Sequence, residues 1–268
     1  MWVPGPVVVA GPCVLEDDAL NLRIAEAVAR IGVDAGVRVV FKGSFDKANR
    51  ARPGAPRGPG LDQGLARLAR VRAETGLPVL TDVHDPAQVP AVAEVADVLQ
   101  IPAFLCRQTD LVEAAGRSGR AINIKKGQWM SPEEMAGPVA KARGAGAVAI
   151  AVTERGTAFG YGDLVVDMRS FPRMRAATGV PVLFDATHSV QQPGRGSAGA
   201  SGGDRAMVPA LLRAAVAAGA EGLYLETHPD PARAPSDAAT MWPLAELPAL
   251  IDTALEIWHA RRGAATRA

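Results

Sequence analysis

The 268-residue sequence predicts an α/β protein, a single-domain (β/α)8 TIM barrel over residues 1–268, and three observations carry that reading. Short apolar runs bounded by Gly or Pro alternate with longer segments of helical period, the pattern of repeated βα units. Eight such pairs fill the chain with no linker between them. Nearly every short run ends in a polar or titratable side chain, as a barrel requires when it builds a site from the C-terminal ends of its strands. A doubly wound open sheet is the alternative, and the ring of polar strand ends favours the barrel.

The first strand is expected at 7–10, the run Val7-Val8-Val9-Ala10, with Cys13 just beyond it and a helix over 17–35. The second, 37–41, stops at Lys42, and a long loop, 43–60, leads to a helix at 61–75. Thr75-Gly76-Leu77-Pro78 ends that helix and turns tightly into a third strand at 79–80, followed by Asp82 and His84. A helix at 86–95 precedes strand 98–101, which contains Gln100, and a helix at 110–118 precedes strand 121–124, which stops at Lys125. Helix 132–145 leads to strand 148–152, followed by Glu154 and Arg155. Helix 167–177 and the turn Thr178-Gly179-Val180-Pro181 lead to strand 182–184, with Asp185 and His188 after it. Helix 204–218, strand 222–225 ending at Glu226 and His228, and a closing helix at 244–262 complete the set.

Composition narrows the function. A net charge of +1 gives no reason to expect nucleic acid, and no apolar run approaches the roughly 20 residues of a membrane span. The N-terminus lacks the basic region of a secretory signal, so a cytoplasmic protein is expected, without an appended regulatory domain. Its two cysteines, Cys13 and Cys106, make no disulfide framework. Of 29 basic residues only five are lysines, and four of those sit at Lys42, Lys47, Lys125 and Lys126. Lysine supplies a compact point charge where arginine supplies a planar fork, so an arginine-favouring chain that keeps lysine at those positions needs the former there.

Two constellations follow. Phe41-Lys42-Gly43-Ser44-Phe45-Asp46-Lys47-Ala48-Asn49-Arg50 turns a buried strand into cations, an amide and a hydroxyl, and unpaired buried charges are costly without an anion or water. Lys42, Lys47, Lys125 and Arg155 therefore read as a cationic patch for a phosphate or carboxylate, with a solvated basic loop as the plain alternative. A Schiff-base lysine is the competing chemistry. Period two puts Lys126 on the opposite face from Lys125, outside the cavity. Taken as ligands, Cys13, His188, Glu226 and Asp237 make a mixed sulfur, nitrogen and oxygen set suited to Zn2+, Fe2+, Mn2+ or Co2+ and poorly suited to Ca2+. Core packing is the alternative for Cys13, and a structural role for His188. His84 is either a proton carrier or a core histidine, His259 a surface residue, and Cys106 a small apolar filler. His228 and Asp230 shape the eighth loop. The loop 43–60 adds Arg52 and Arg57, and the Gly-rich loop 189–203 ends in Ser201, Gly202 and Gly203 before a helix, where free backbone N–H groups could receive phosphate. Arg107 stands at a helix start where the dipole disfavours a cation, so an anion or a neighbouring subunit is expected beside it.

Ordered motifs carry a family resemblance between Val8 and Leu255. They are Gly-Pro-Cys-Val-Leu-Glu at 11–16, the stretch 41–50, Gly-Pro-Gly-Leu at 58–61, Thr-Asp-Val-His at 81–84, Gln-Ile-Pro-Ala-Phe-Leu at 100–105 and Arg-Gln-Thr-Asp-Leu at 107–111. Asn-Ile-Lys-Lys-Gly-Gln at 123–128, Glu-Arg-Gly at 154–156, Phe-Gly-Tyr at 159–161, Leu-Val-Val-Asp-Met at 164–168, Phe-Asp-Ala-Thr-His-Ser at 184–189 and Glu-Thr-His-Pro-Asp-Pro at 226–231 continue the series. On these the chain resembles 3-deoxy-D-manno-octulosonate 8-phosphate synthase. The resemblance implies condensation of phosphoenolpyruvate with D-arabinose 5-phosphate and water, on the route to lipopolysaccharide, by a homotetramer. It implies that Lys47, Lys125 and Arg155, with Lys42, hold phosphoenolpyruvate, and Ser44 and Gln100 are counted among the substrate-binding residues. Asn49, Arg50 and Ser201 would contact the pentose phosphate, with Arg107 reaching in from an adjacent subunit. Members with Cys after the first strand are metal-dependent, so Cys13, His188, Glu226 and Asp237 would be the ligands, with Lys47, His188, Asp237 and Asp82 serving catalysis. Many relatives carry Asp-Gly where this chain has Asp237-Ala238, which could restrict that loop's backbone. A related synthase using erythrose 4-phosphate has the same barrel but typically Lys-Pro-Arg-Thr at 47–50, and a non-catalytic phosphosugar-binding barrel is the alternative outside enzymes.

Overall fold

A computed structural model describes residues 1–2, 5–50, 54–159, 162–196 and 201–265, so Arg52, Gly160 and Tyr161 lie outside the described residues. Among them, eight parallel strands close into a barrel: β1 (Val7–Gly11), β2 (Arg38–Lys42), β3 (Val79–Asp82), β4 (Val98–Ile101), β5 (Ala121–Lys125), β6 (Ile150–Glu154), β7 (Val182–Asp185) and β8 (Gly222–His228). Closure comes from β1 against β8, in register from Val7↔Gly222 to Gly11↔Glu226. The helices are α1 (Asp18–Asp34), α2 (Leu61–Thr75), α3 (Val89–Val95), α4 (Thr109–Arg117), α5 (Ala136–Gly144), α6 (Ser170–Thr178), α7 (Val208–Ala218) and α8 (Leu247–Ala265). No helix among the described residues is long and apolar enough to cross a membrane.

Local chemistry explains the elements. Asp17 caps α1 by accepting the Leu20 N–H, and both Thr-Gly-x-Pro segments end their helices by one device. Gly76 and Gly179 adopt the left-handed conformation at φ 69° and 66°, and return their N–H groups to Arg72 and Arg175. Three-residue turns precede α3, α5, α7 and α8, so their first expected helical residues are not α-helical. Gly11 must be glycine, because a Cβ there would lie 2.0 Å from the Lys42 carbonyl oxygen.

Most strands run further than expected, on to Gly11, Lys42, Asp82, Lys125, Glu154, Asp185 and His228; of their terminal polar groups, Lys42, Asp82, Lys125 and Asp185 find partners inside the barrel. The sixth begins later: Val148 is 91% exposed and β6 starts at Ile150. The 189–203 loop also differs from expectation. Gln191–Gln192 pairs antiparallel with Gly202–Gly203, and a short turn, Arg205–Met207, separates that arm from α7, so Gly202 and Gly203 do not open a helix.

The core has two parts. Between barrel and helices lies the large outer cluster, including Val8, Phe41, Leu99, Ile122, Val152 and Leu223. Inside the barrel, Val7, Val9, Val40, Leu80, Val98, Ala121, Ala151, Leu183 and Tyr224 pack together, and Trp2 lies against them from below with its indole N–H on the Ile122 carbonyl. Alternation along β5 shows the sorting: Ala121, Asn123 and Lys125 face in, while Ile122 and Ile124 face out.

Candidate active site at the barrel mouth

Above the apolar interior the inward positions become polar, and a hydrogen-bonded ladder crosses four strands. Thr153 donates to Asn123, Asn123 to Gln100, and Gln100 to Asp82, which also accepts the Ser44 hydroxyl. This ladder satisfies groups that would otherwise be costly to bury. Over it opens a cavity of about 630 Å3, lined among others by Lys42, Lys47, Asn49, Arg50, Asp82, Gln100, Lys125, Arg155, His188, Ser201, Glu226 and Asp237. Ser44 is buried behind Asp82 and does not line the cavity. Arg107 is exposed on the outside and does not reach this chain's own cavity.

The cations are not equivalent. Lys42 Nζ donates to Glu226 Oε1 at 2.8 Å and to the Cys13 carbonyl at 2.7 Å. Burial alone would lower its pKa, but Glu226, Asp82 and Cys13 outweigh burial and raise it. Lys47 is raised likewise, with Cys13 and Glu226 outweighing burial and the repulsion of Lys42. Lys125 lies 2.6 Å from Asp185 and 3.6 Å above the Tyr224 ring centre, yet burial holds its pKa below the ordinary value. Arg155 gives one guanidinium arm to Gln191 at 2.6 Å, and its other nitrogen, Nη1, is buried without a partner. An unpaired arm facing a cavity is the signature of an anion position.

The ligand-competent groups converge beside the cations. Single donor atoms of Cys13, Glu226 and Asp237 lie within 4.8 Å of one another. His188 Nε2 stands 3.4 Å from Glu226 Oε2 and 4.0 Å from Asp237 Oδ2. Its Nδ1 meets Asp185 Oδ2 at 2.7 Å, and Asp185 is kept ionised because His188 and Lys125 outweigh burial. The contact with Asp185 fixes the ring so that Nε2 faces the cluster, the orientation that carboxylate partners impose on ligating histidines. Glu226 Oε2 is buried without a hydrogen bond. Cys13 donates its thiol to Asp237 Oδ2, and burial, then Asp237 and Glu226, push its pKa well up. An orphaned carboxylate oxygen, an imidazole nitrogen turned toward two carboxylates and a thiol crowded by the same pair fit a divalent cation, which would convert that thiol to a thiolate.

Asp237 carries the left-handed φ of 51°, and Ala238 does not, so the alanine is unstrained. Ser236 and Gln191 hold the Asp237 carboxylate at 2.9 and 2.6 Å, and Arg50 donates to Ser236 at 2.6 Å. One chain of contacts thus runs Arg155–Gln191–Asp237–Ser236–Arg50. Gln191, Ser236 and Tyr224 were not singled out in the sequence. Tyr224 stands two residues before Glu226 and shares its face by period two, so it was findable. Ser236 directly precedes Asp237 and was findable from it, whereas Gln191 meets the site only through the distant Arg155 and Asp237.

His84 is mostly buried, edge-on to Phe45, and burial lowers its pKa. His228 accepts the Asp230 N–H and shapes the eighth loop, Cys106 is buried against Met130, and His259 is exposed, each as expected.

Fold and site together define a (β/α)8-barrel enzyme built around a cationic cavity with a ligand cluster on one wall. The chain belongs to the DAHP synthetase I family, whose pattern matches residues 5–258, and within it to the 2-dehydro-3-deoxyphosphooctonate aldolases, that is, the 3-deoxy-D-manno-octulosonate 8-phosphate synthases. It is 55% identical over 251 residues to the aldolase of that name from Nitratidesulfovibrio vulgaris, covering 94% of this chain and 91% of that one. Identity is 53% over 249 residues to the Rhodopseudomonas palustris protein, covering 93% and 86%. The Bradyrhizobium protein is 52% identical over 261 residues, covering 97% and 91%.

Proposed function

We propose that the chain condenses phosphoenolpyruvate with D-arabinose 5-phosphate and water, giving 3-deoxy-D-manno-octulosonate 8-phosphate and inorganic phosphate. The observation that carries this reading is the cavity itself, where Lys42, Lys47, Lys125 and the open arm of Arg155 surround a space wide enough for two phosphorylated substrates. Relatives above 50% identity bear the matching name.

In this reading Lys47, Lys125 and Arg155, with Lys42, hold phosphoenolpyruvate. Asn49, Arg50 and Ser201 receive the pentose phosphate, with Arg107 supplied by a neighbouring subunit of a homotetramer. C3 of the enol attacks the sugar aldehyde while water adds at C2, and the tetrahedral intermediate breaks its C2–O bond to release phosphate. Fixed cations in a closed site stabilise the charge that develops on carboxylate and phosphate. Asp82, kept ionised because Lys42 and Lys47 outweigh its burial, serves as a fixed counter-charge and not as an acid.

A divalent cation, Zn2+, Fe2+, Mn2+ or Co2+, would be held by Cys13, His188, Glu226 and Asp237, and when bound it would supply Lewis acidity to an aldehyde oxygen or a water. Asp185 orients His188 for that duty, while Ser236 and Gln191 orient Asp237. The pathway served would be lipopolysaccharide synthesis, in the cytoplasm.

Assay of purified protein with phosphoenolpyruvate and either pentose or erythrose phosphate tests the reaction. Turnover with arabinose 5-phosphate and little with erythrose 4-phosphate is expected, and the reverse preference overturns the reading. Borohydride in the presence of substrate should trap no lysine adduct; a labelled Lys125 would establish Schiff-base chemistry instead. Chelation should abolish turnover and a divalent metal restore it, while Cys13→Ser should lower the metal content of purified protein. Full activity without metal would end the metal assignment.

A further inference from the structure

Two lysines stand side by side at the end of β5, and the cavity uses one of them. Lys125 points in. Lys126 faces the opposite side and is fully buried between the loops that follow β5 and β6. Its Nζ lies 3.1 Å from Thr157 Oγ1, 3.3 Å from the Gly127 and Met130 carbonyls, 3.4 Å from the Gly156 carbonyl and 3.6 Å from Glu154 Oε1. Three of these acceptors belong to Glu154, just before Arg155, and to Gly156 and Thr157, the two residues after it. Glu154 Oε1 also accepts the Gly156 N–H at 2.6 Å, bridging across Arg155 from behind. The backbone is thus clamped on both sides of the arginine whose side chain turns inward with one free arm. The Gly127–Met130 end of the clamp is the segment that presents Gln128 to the cavity.

A buried ammonium and carboxylate are poor sources of stability, since an apolar pair of similar volume avoids their desolvation. What such a pair does supply is orientation. We propose that Lys126 and Glu154 form a positioning pair that holds Arg155 aimed at the phosphate or carboxylate of phosphoenolpyruvate. This rests on the proposed function only in that Arg155 receives that anion. The pair touches no substrate; it acts through the main chain at 154–157, so its removal should be felt by one substrate and not by the other.

The test is kinetics and direct titration on Lys126→Met and Glu154→Gln, with phosphoenolpyruvate titrated in the absence of sugar phosphate. Both KM and Kd for phosphoenolpyruvate should rise about ten- to a hundredfold, with KM for the pentose phosphate within about twofold, as for loss of a supporting shell elsewhere. Arg155→Lys added to Lys126→Met should then cost less than it does alone, because the two act through one group. An unchanged affinity for phosphoenolpyruvate, or an equal rise in both KM values, overturns the proposal and leaves the pair structural. Should Lys126→Met fail to fold, Glu154→Gln preserves the shape of the pair and decides the question by the same readings. Unaltered protein that binds no phosphoenolpyruvate would overturn the functional reading itself, a different result from normal binding that the variants leave untouched.

Discussion

The two ends of the barrel interior fill the same closed space in opposite ways. Below, Val7, Val9, Val40, Leu80, Val98, Ala151 and Leu183 need no partners, and burial of their surface contributes roughly 25 cal/mol per Å2. Above, Lys42, Asp82, Lys125, Asp185 and Glu226 are buried as well and depend on one another and on Ser44, Gln100, His188 and the Cys13 carbonyl for partners. On β7 and on β3 the change takes two residues, from Leu183 to Asp185 and from Leu80 to Asp82. Tyr224 spans the boundary, its ring packed in the apolar cluster and beneath Lys125, its hydroxyl 3.5 Å from Gln100 Nε2. One end stabilises the barrel; the other holds charges in place at little gain, or some loss, in stability.

Separating the two roles gives the largest effects. Arg155→Met should lower kcat/KM about a thousandfold, about 4 kcal/mol of transition-state stabilisation, by removing an anion donor. Its measured unfolding free energy should change by only about 1 kcal/mol, because the partner left behind is a neutral amide, Gln191. Leu183→Ala should do the reverse, with a loss of about 2–5 kcal/mol in stability at an unchanged KM for both substrates. If Arg155→Met destabilised as much as Leu183→Ala, the division between the ends would not hold.

A smaller effect sharpens the same contrast at the top. Gln191→Leu breaks the link between Arg155 and Asp237, and kcat/KM should fall about tenfold, the size expected for an orienting partner. Metal content measured alongside should fall too, since Asp237 loses a donor that fixes its carboxylate; unchanged content and rate would show the link to be idle.

Gln191 also marks what the sequence could and could not disclose. The barrel was legible because βα alternation is local, and so were the strand-end groups from Cys13 to Glu226, because each follows its own apolar run. Strand lengths were less so. Reading a strand as an unbroken apolar run stops it before Thr81 and Asp82 or before Asp185, whereas a barrel mouth buries those polar groups. Val148 misled in the opposite sense, an apolar residue left exposed in the irregular link before β6. Gln191 was hidden because its partners Arg155 and Asp237 lie 36 and 46 residues away, and so was the contact of Ser236 with Arg50, 186 residues away. Position 238 pointed to strain, yet the left-handed backbone sits one residue earlier, at Asp237.

The smallest effect concerns pH, and it separates His84 from Asp82 on the same wall of the cavity. Burial holds His84 below its ordinary pKa of about 6.5, so as pH falls through that value the unfolded chain takes up a proton that the folded one resists. Stability contributed by neutral His84 is therefore present above about pH 6.5 and is lost on acidification from there. For Asp82 the folded pKa is depressed because Lys42 and Lys47 outweigh burial, so its contribution persists until pH drops below the ordinary carboxylate value of about 3.9. Melting temperature recorded against pH on chelated protein, so that metal–ligand protonation is common to both samples, should thus decline in two stages. His84→Asn should flatten the stage that begins below about pH 6.5 and leave the steeper acid limb in place. Parallel curves for the parent and the variant would mean that His84 is protonated as readily in the folded chain as in the unfolded one, and that this wall of the cavity is wetter than its packing against Phe45 indicates.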